Sequence, residues 1–421
     1  MNKYINRTIE PVVIDISNSF SVVMITGSRQ VGKSTLLSHI ASKLNKKMKI
    51  VSLDDITART LAVEDPKLFL ETYKPPLIID EFQYAPDLLS YIKIIVDEKK
   101  YEELHGGESS RGMYFLTGSQ RFISMEKVSE SLAGRVGIIE LYGLSNRELH
   151  GETQEVFIPD AEELRRRESL THNNDLTDTF NRIFRGSFPE TYSVDNLSRD
   201  SFFDGYIKTY MEKDIRKLIN IKDEIKFMKF ITSIAVRTGQ ELNLTDIGKD
   251  AEISNPTASS WLSILVNTGL VVLIQPFYKN VIKRVVKSPK IYFMDTGLAS
   301  YLAKYPSPEV LESSYYSGAI FETYVVSEII KSFANKGLDP MRFLTYYRDN
   351  NKNEIDLIIE YDNRLYPIEI KKSKNPGKKA LRNFSVLSGT KMEIADGTVL
   401  CMQDEIFPLD RNNYSIPIGY I

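Results

Sequence analysis

Cysteine is almost absent from this chain of 421 residues, since Cys401 is the only one. A single cysteine excludes an intramolecular disulfide framework and any zinc site built from several cysteines. The chain also lacks a run of about 18 apolar residues, which a membrane-spanning helix would need. Its first seven residues lack the apolar core of a signal peptide. We therefore expect a cytoplasmic protein with no membrane partner, in which Cys401 is a small buried hydrophobic residue.

Neither sign of charge is in excess. The 54 Lys and Arg residues nearly balance the 56 Asp and Glu residues, for a formal net charge of −2, and the four histidines are scattered. Such a balance gives no global signal of nucleic-acid binding, so any such signal has to be local. The length predicts two to four domains, and a hydrophobic content of 42% is enough for real cores.

The most informative motif is the octapeptide Gly-Ser-Arg-Gln-Val-Gly-Lys-Ser at residues 27–34, a complete G-x-x-x-x-G-K-[ST] loop. Its glycines let backbone N–H groups point at phosphates, Lys33 neutralises the β and γ charges, and the Ser34 hydroxyl can bind Mg²⁺. A strand-like stretch precedes the loop and a helical pattern follows it, which is the required context. The sequence thus predicts a site for ATP and Mg²⁺. The predicted nucleotide-binding residues are Gly27, Arg29, Gln30, Val31, Gly32, Lys33, Ser34 and Thr35.

A second short apolar strand, residues 75–79, ends in Asp80 and Glu81. In this setting the pair resembles a Walker B motif, in which Asp80 holds Mg²⁺ through water and Glu81 polarises the attacking water. Two acids can also end a strand at a solvated turn, but the intact phosphate loop upstream favours catalysis. A third strand, residues 113–117, leads into a polar tip.

Five segments together resemble the large prokaryotic family of AAA-type ATPases that carries a C-terminal domain of unknown function. These segments are residues 27–34, 79–83, 116–120, 131–135 and 206–214, and the resemblance covers essentially the whole chain. The family pattern implies an ATPase that forms a homo-oligomer.

The resemblance also implies roles for three polar residues. It makes Ser119 and Gln120 candidates for the sensor that orients lytic water, and spacing leaves open which of Thr117, Ser119 or Gln120 faces the nucleotide. It makes Arg135 the candidate arginine finger or sensor arginine, reaching the γ-phosphate of its own or a neighbouring subunit. A surface salt bridge is the alternative for Arg135.

Residues 155–220 lack strand alternation and are rich in charge, and Gly and Pro within residues 185–190 interrupt the helical pattern. By similarity we expect a helical lid over the nucleotide.

Residues 241–270 read as two helices joined by a Ser-Asn-Pro turn, which is typical of a helix-turn-helix. Two strands follow, at residues 271–278 and 290–294, and a basic segment without acidic residues lies between them. This order predicts a winged helix whose wing contacts a phosphate backbone. A basic hairpin that packs against an acidic protein surface is the alternative. The predicted wing contacts are Lys279, Lys283, Arg284, Lys287 and Lys290.

The last third resembles the PD-(D/E)XK nuclease core. Asp356 precedes the strand that carries Glu369 and Lys371, whose side chains share one face because they lie two residues apart. By similarity, Glu322, Asp356 and Glu369 would bind one or two Mg²⁺ ions, and Lys371 would act on the attacking water. A cation-rich run follows, and it could hold a phosphate backbone. Its predicted nucleic-acid contacts are Lys372, Lys374, Lys378 and Lys379.

The expected fold class is α/β. We expect a P-loop AAA-type ATPase core at residues 1–155, a helical lid at 156–220, a winged helix at 221–295 and a nuclease-like α/β domain at 296–421. The expected function is ATP hydrolysis coupled to binding or remodelling of nucleic acid, most naturally DNA. The alternatives are a nucleotide-dependent switch that binds protein partners and a DNA nuclease gated by ATP.

Overall fold

The computed structural model describes residues 4–43, 48–118, 131–168, 175–211, 215, 224–277 and 288–421. They divide into two compact units. Unit 1 comprises Met1–Gln154 with two short segments, Asn267–Gly269 and Ala334–Gly337, and unit 2 comprises the remainder. Among the described residues, no helix is both long enough and apolar enough to cross a membrane.

Unit 1 is built on a five-stranded parallel sheet in the order β2-β3-β4-β1-β5. All five residues of β1 are buried, as expected for an apolar strand covered by helices on both faces. The parallel-sheet fold of a P-loop ATPase is therefore confirmed. In chain order the elements are α1 (Glu10–Ser19), β1 (Val22–Thr26), α2 (Lys33–Lys43), β2 (Lys49–Ser52), α3 (Ile56–Glu64), α4 (Pro66–Thr72), β3 (Leu77–Asp80), α5 (Leu88–Leu104), β4 (Tyr114–Thr117), β5 (Val136–Glu140) and α6 (Asn146–Leu149).

Strand register brings three loops of unit 1 together. Strand β1 lies between β4 and β5, with Ile25 opposite Thr117 and Thr26 opposite Glu140. Strand β3 pairs with β4 in the same direction. Because the carboxyl ends of parallel strands meet at one edge of the sheet, the residues that follow β1, β3 and β4 share that edge.

Unit 2 begins with short helices. Helix α8 ends at Arg185 because Gly186 takes a φ of +83°, and Pro189 then starts α9 at a position where its missing N–H costs nothing. The predicted helical character and the predicted break are confirmed, whereas the role of this segment as a lid stays a prediction. The helices are α7 (Ala161–Arg167), α8 (Leu176–Arg185), α9 (Pro189–Ser193) and α10 (Arg199–Tyr210).

Three helices and three strands follow. Asn243 caps α12 by accepting a hydrogen bond from the Asp246 N–H, and the Trp261 ring packs on Phe227 and Phe230 with centroids 5.2 and 5.6 Å away. The predicted apolar face of the second helix is thus part of a core. The elements are α11 (Glu224–Ala235), β6 (Gln240–Glu241), α12 (Leu244–Asp250), α13 (Asn255–Asn267), β7 (Val271–Pro276) and β8 (Lys290–Phe293).

The C-terminal part of unit 2 extends the same sheet. Its strands follow the order β14-β15-β13-β11-β10-β9-β7-β8-β6, with β12 paired to β11. Strand β7 joins β9 in parallel, so Gln275 lies opposite Thr345. The segments predicted as winged helix and nuclease-like domain therefore share one sheet. The elements are α14 (Thr296–Leu302), α15 (Pro308–Ser313), α16 (Ser317–Ala334), β9 (Leu344–Arg348), β10 (Glu354–Tyr361), β11 (Arg364–Lys371), β12 (Glu393–Ile394), β13 (Gly397–Cys401), β14 (Phe407–Pro408) and β15 (Asn413–Pro417).

Candidate functional site

The phosphate loop joins β1 to α2. Gly27 has a φ of +140°, and a Cβ there would lie 2.1 Å from the Leu141 carbonyl oxygen, so only glycine fits. The Lys33 side chain is buried, and its Nζ donates to the carbonyl oxygens of Gly27 at 2.9 Å and Ser28 at 2.8 Å. The ammonium group is thus held inside the loop that would surround the phosphates.

Of the other predicted nucleotide contacts, Gln30 and Thr35 are exposed, Arg29 is half-buried and Val31 is buried. Gln30 adopts a left-handed φ of +61°. The exposed side of the loop therefore carries these two polar side chains.

The Ser34 hydroxyl donates to Asp80 Oδ1 at 2.6 Å. Ser34 is the second residue of α2 and Asp80 ends β3, so the parallel sheet brings together two positions that lie 46 residues apart. Oxygen ligands on adjacent side chains suit Mg²⁺, which takes few protein ligands alongside phosphate oxygens. Among the predicted metal ligands, this pair fits the ion.

Glu81 follows Asp80 in a left-handed conformation, with a φ of +56° and a ψ of +43°. Such a conformation costs free energy for a non-glycine residue and is concentrated at functional sites. The Gln83 side chain donates from Nε2 to Glu81 Oε2. Glu81 is therefore held by a neighbour two residues away, a contact that the sequence pattern did not single out.

Thr117, at the tip of β4, contacts both acidic residues. Its hydroxyl donates to Asp80 Oδ1 and accepts a hydrogen bond from the Glu81 backbone N–H at 3.3 Å. Of the three residues left open as a sensor, Thr117 is therefore placed against the predicted catalytic pair. Ser119 and Gln120 lie outside the described residues.

Arg135 lies at the amino end of the parallel strands, opposite the end that carries the phosphate loop. Its carbonyl accepts from the Val22 N–H at 3.1 Å, at the start of β1, whereas the phosphate loop leaves the end of β1 after Thr26. Four strand residues separate these positions by about 13 Å. The guanidinium also forms a two-pronged ion pair with Asp97. Contact with the γ-phosphate of its own chain, one of the two predicted alternatives, is incompatible with this placement.

The predicted nuclease-like residues come together in unit 2, around a lysine that was predicted to bind DNA. Lys290 Nζ lies 2.6 Å from Glu354 Oε1, 3.1 Å from Glu322 Oε1 and 3.8 Å from Asp356 Oδ1. Its side chain is only 2% exposed. The prediction that Lys290 contacts nucleic acid is therefore wrong, because β8 begins at this residue and directs its side chain into the protein.

A second ammonium group completes this arrangement. Lys371 Nζ lies 2.6 Å from Glu369 Oε1 and 3.5 Å from Asp356 Oδ2. Asp356 Oδ2 also accepts from the Ile370 backbone N–H at 2.9 Å. Glu369 Oε2 is buried and has no hydrogen-bond partner in the described part of the chain.

Burial dominates the acid–base properties of these groups. It raises the pKa of Glu322 to about 7, with a further rise from Asp356 and an opposing effect of Lys290. It also raises the pKa of Glu369 to about 7, again with a contribution from Asp356 and against the effect of Lys371. Burial alone would lower the pKa of Lys290, but the surrounding carboxylates outweigh it and the net shift is upward. The lysine therefore stays charged.

These carboxylates are not arranged as the predicted metal centre. In the described ranges, no group of three or more His, Cys, Asp or Glu residues is arranged to hold a metal ion. The physical reason is the pair of ammonium groups: Lys290 lies 3.1 Å from Glu322 Oε1, Lys371 lies 2.6 Å from Glu369 Oε1, and each lies within 3.8 Å of an Asp356 oxygen. The predicted Mg²⁺ site at Glu322, Asp356 and Glu369 is not supported by this geometry.

The other predicted nucleic-acid contacts differ from one another. Lys372 Nζ donates to the Glu312 carbonyl at 2.8 Å and lies over the Phe180 ring, so it ties elements of unit 2 together. Lys374, Lys378 and Lys379 are exposed. The wing residues Lys279, Lys283, Arg284 and Lys287 lie outside the described residues.

Comparison with known families divides the chain into three matched segments. Residues 19–150 match an AAA domain, residues 176–309 a domain of unknown function (DUF8612), and residues 317–421 a domain of unknown function (DUF4143). The AAA match covers the sheet and the loops that hold Lys33, Asp80 and Glu81.

Two relatives that match most of the chain occur in mycobacteria. The chain is 27% identical over 403 residues to an uncharacterized protein of Mycobacterium bovis and, with the same values, to one of Mycobacterium tuberculosis. The alignment covers 95% of this chain and 80% of each relative.

Two solved structures with lower sequence identity also resemble the chain. A Walker-type ATPase of Pyrococcus abyssi is 14% identical, with a TM-score of 0.43, over 71% of this chain and 96% of that protein. The Holliday junction branch migration motor RuvB of Thermotoga maritima is 18% identical, with a TM-score of 0.30, over 62% of this chain and 88% of that protein.

Proposed function

We propose that this chain, an ATPase of the P-loop class with an AAA domain at residues 19–150, couples ATP binding and hydrolysis to the binding or remodelling of DNA. The proposal of ATP hydrolysis rests on the geometry around Ser34 and Asp80. The proposal of DNA binding rests on the exposed face of helix α13.

In the proposed reaction, the loop N–H groups and Lys33 bind the β and γ phosphates. Ser34 and Asp80 would hold Mg²⁺, which neutralises charge on the phosphates. Glu81 orients the attacking water for in-line transfer, and Thr117 keeps Asp80 and Glu81 in place through its two hydrogen bonds. Gln83 holds one oxygen of the Glu81 carboxylate, Oε2, in the position described here.

Helix α13 is the observation that favours nucleic acid over a protein partner. Its sequence, Asn255–Asn267, contains no charged residue. Apart from Pro256, its exposed positions carry short hydrogen-bonding side chains, namely Asn255, Ser259, Ser260 and Ser263. Hydroxyl and amide groups on a helix contact phosphates and base edges, and a helix N-terminus favours anions. A protein-docking helix would instead expose an apolar stripe.

The elements around α13 support a winged helix. Helices α12 and α13 are joined by residues 251–254, and the antiparallel pair β7 and β8 follows. The basic segment between these strands is the proposed wing, with Lys279, Lys283, Arg284 and Lys287 as phosphate contacts. In the C-terminal part of unit 2, Lys374, Lys378 and Lys379 form a second exposed basic segment, joined by Arg382.

We also propose that the chain acts as a homo-oligomer, in which Arg135 serves the nucleotide of a neighbouring copy. The sheet places Arg135 away from its own phosphate loop. A role at the γ-phosphate is therefore possible only between copies.

The test is the ATPase rate of the purified chain alone and with duplex, single-stranded or branched DNA. We expect at least one form of DNA to stimulate turnover and to bind in a salt-dependent manner. Lys378→Gln with Lys379→Gln should weaken DNA binding. The double change should also reduce the salt slope, which is the slope of the logarithm of the binding constant against the logarithm of the salt concentration, by an amount equal to roughly two phosphate contacts. The control is Lys67→Gln with Lys208→Gln, which neutralises two exposed lysines outside the basic segments. If none of the three forms of DNA changes the ATPase rate and none binds at low salt, the result would instead favour a switch that binds protein partners.

A further inference from the structure

We propose that Lys290 is a built-in counter-cation that occupies the position of a metal ion in unit 2, so that this part of the chain binds no divalent cation. We call Glu322, Glu354, Asp356 and Glu369 the acidic cluster. The inference rests on the geometry of this cluster and is independent of the proposed DNA-coupled ATPase function.

Lys290 is placed in the acidic cluster by the sheet. It is the first residue of β8, where it pairs with Ile274 of β7 and Glu241 of β6. A strand bonded on both sides fixes the backbone, so the direction of the side chain is fixed too. Tyr292, two residues further on, points to the same face, and its hydroxyl donates to Glu322 Oε1 at 2.7 Å. Strand β8 thus supplies two donors to one carboxylate.

The ammonium group stands where a cation would have to bind. Its contacts at 2.6 Å to Glu354 and 3.1 Å to Glu322 engage oxygens that come from a different strand and from helix α16. A divalent cation needs such oxygens at about 2.0–2.6 Å, together with space for water. With Lys290 in place, the cation would meet both a steric conflict and the repulsion of a buried positive charge. Lys371 adds a second charge on the side of Glu369.

The oxygens themselves remain suitable for a metal. Glu369 is 8% exposed, and its Oε2 is buried with no hydrogen-bond partner among the described residues. Glu322 and Asp356 would each lose an ion-pair partner if Lys290 were neutral. Removing the ammonium group should therefore leave a set of oxygen ligands that can bind a divalent cation. An ordinary structural lysine would leave no such site when it is replaced.

The experiment measures Mn²⁺ binding to the full chain without nucleotide, by electron paramagnetic resonance. Every protein carries Ser34→Ala, so that the phosphate loop does not contribute. With Lys290 present, the titration should match that of Asp356→Asn, because neither protein binds Mn²⁺ in the cluster. Binding with Lys290 present that Asp356→Asn abolishes would overturn the proposal, and this comparison needs no change at Lys290.

The second comparison replaces the lysine. Lys290→Met should gain one Mn²⁺ with at least a tenfold rise in affinity, and adding Asp356→Asn should remove the gain. The double variant Lys290→Met with Glu354→Gln keeps the formal charge of the cluster. It replaces Lys290→Met in the titration if the single variant does not fold. Either folded variant that binds no more Mn²⁺ than the parent would also overturn the proposal.

Discussion

Arg135 and Asp97 form a two-pronged ion pair in unit 1, with Nε 2.5 Å from Oδ1 and Nη2 2.8 Å from Oδ2. The Arg135 side chain is 25% exposed and that of Asp97 41% exposed. The pairing lowers the pKa of Asp97, chiefly through the hydrogen bonds from Arg135. An ion pair this exposed contributes under about 1 kcal/mol to stability. A large effect of Arg135 on turnover would therefore not arise from unfolding.

For Arg135 we expect complementation between copies. Arg135→Ala should lower turnover with little change in melting temperature, and mixing it with Lys33→Ala should restore part of the rate, because an intact phosphate loop can then meet an intact arginine. ATPase activity per subunit should rise with protein concentration. Asp97→Ala is the matched control, since it breaks the same ion pair and leaves the arginine. No recovery at any mixing ratio would leave Arg135 with the structural role alone.

Lys33 and Glu81 should separate nucleotide binding from hydrolysis. Lys33→Ala removes the cation that holds the β and γ phosphates and should abolish turnover. Glu81→Gln should retain ATP binding while turnover falls roughly 10²- to 10⁴-fold, since it loses the base that orients water. Binding of a fluorescent ATP analogue and release of phosphate measure the two effects. Wild-type turnover in Glu81→Gln would show that another group orients the water.

Thr117 should act as a positioning residue. Thr117→Val keeps the shape of the side chain but loses the hydroxyl that contacts Asp80 and Glu81, so kcat should fall roughly 10- to 100-fold with a smaller change in KM. Thr117→Ser retains the hydroxyl and should recover most of the rate. Equal losses in both variants would point to packing of the methyl group instead.

The two sites differ in how far sequence alone could predict them. Gly27, Lys33 and Ser34 belong to one loop, so their chemistry follows from spacing, and Asp80 follows from the rule that parallel strands end at a common edge. Lys290 carries no such signal. It follows a basic segment and resembles one more wing cation, and only the pairing of β7 with β9 brings its strand into the sheet of Asp356.

The wing remains a prediction, because residues 278–287 lie outside the described part of the chain. Changing Lys283, Arg284 and Lys287 together to Gln should weaken binding of all DNA sequences alike and reduce the salt slope by roughly three contacts. Fluorescence anisotropy at several salt concentrations measures both effects. An unchanged slope would assign the phosphate contacts to the segment that carries Lys374, Lys378 and Lys379.

Glu322 should make the stability of unit 2 depend on pH. Its pKa is raised to about 7 in the folded chain, mainly by burial, against about 4.3 for a free glutamate. Between these values the folded state binds more protons than the unfolded state. The free energy of unfolding therefore falls as the pH rises through this window, by at most about 1.4 kcal/mol per pH unit for one proton, and levels off above it.

Glu322→Gln still accepts hydrogen bonds from Lys290 and Tyr292 but cannot titrate, so its unfolding free energy should fall less steeply between pH 5 and pH 7. Trp261, the only tryptophan in the chain, lies in the core of unit 2 and reports its unfolding by fluorescence. Glu405→Gln, at an exposed position, should keep the wild-type slope. An identical slope in Glu322→Gln would mean that this carboxylate is already ionised at pH 5, held in that form by Lys290.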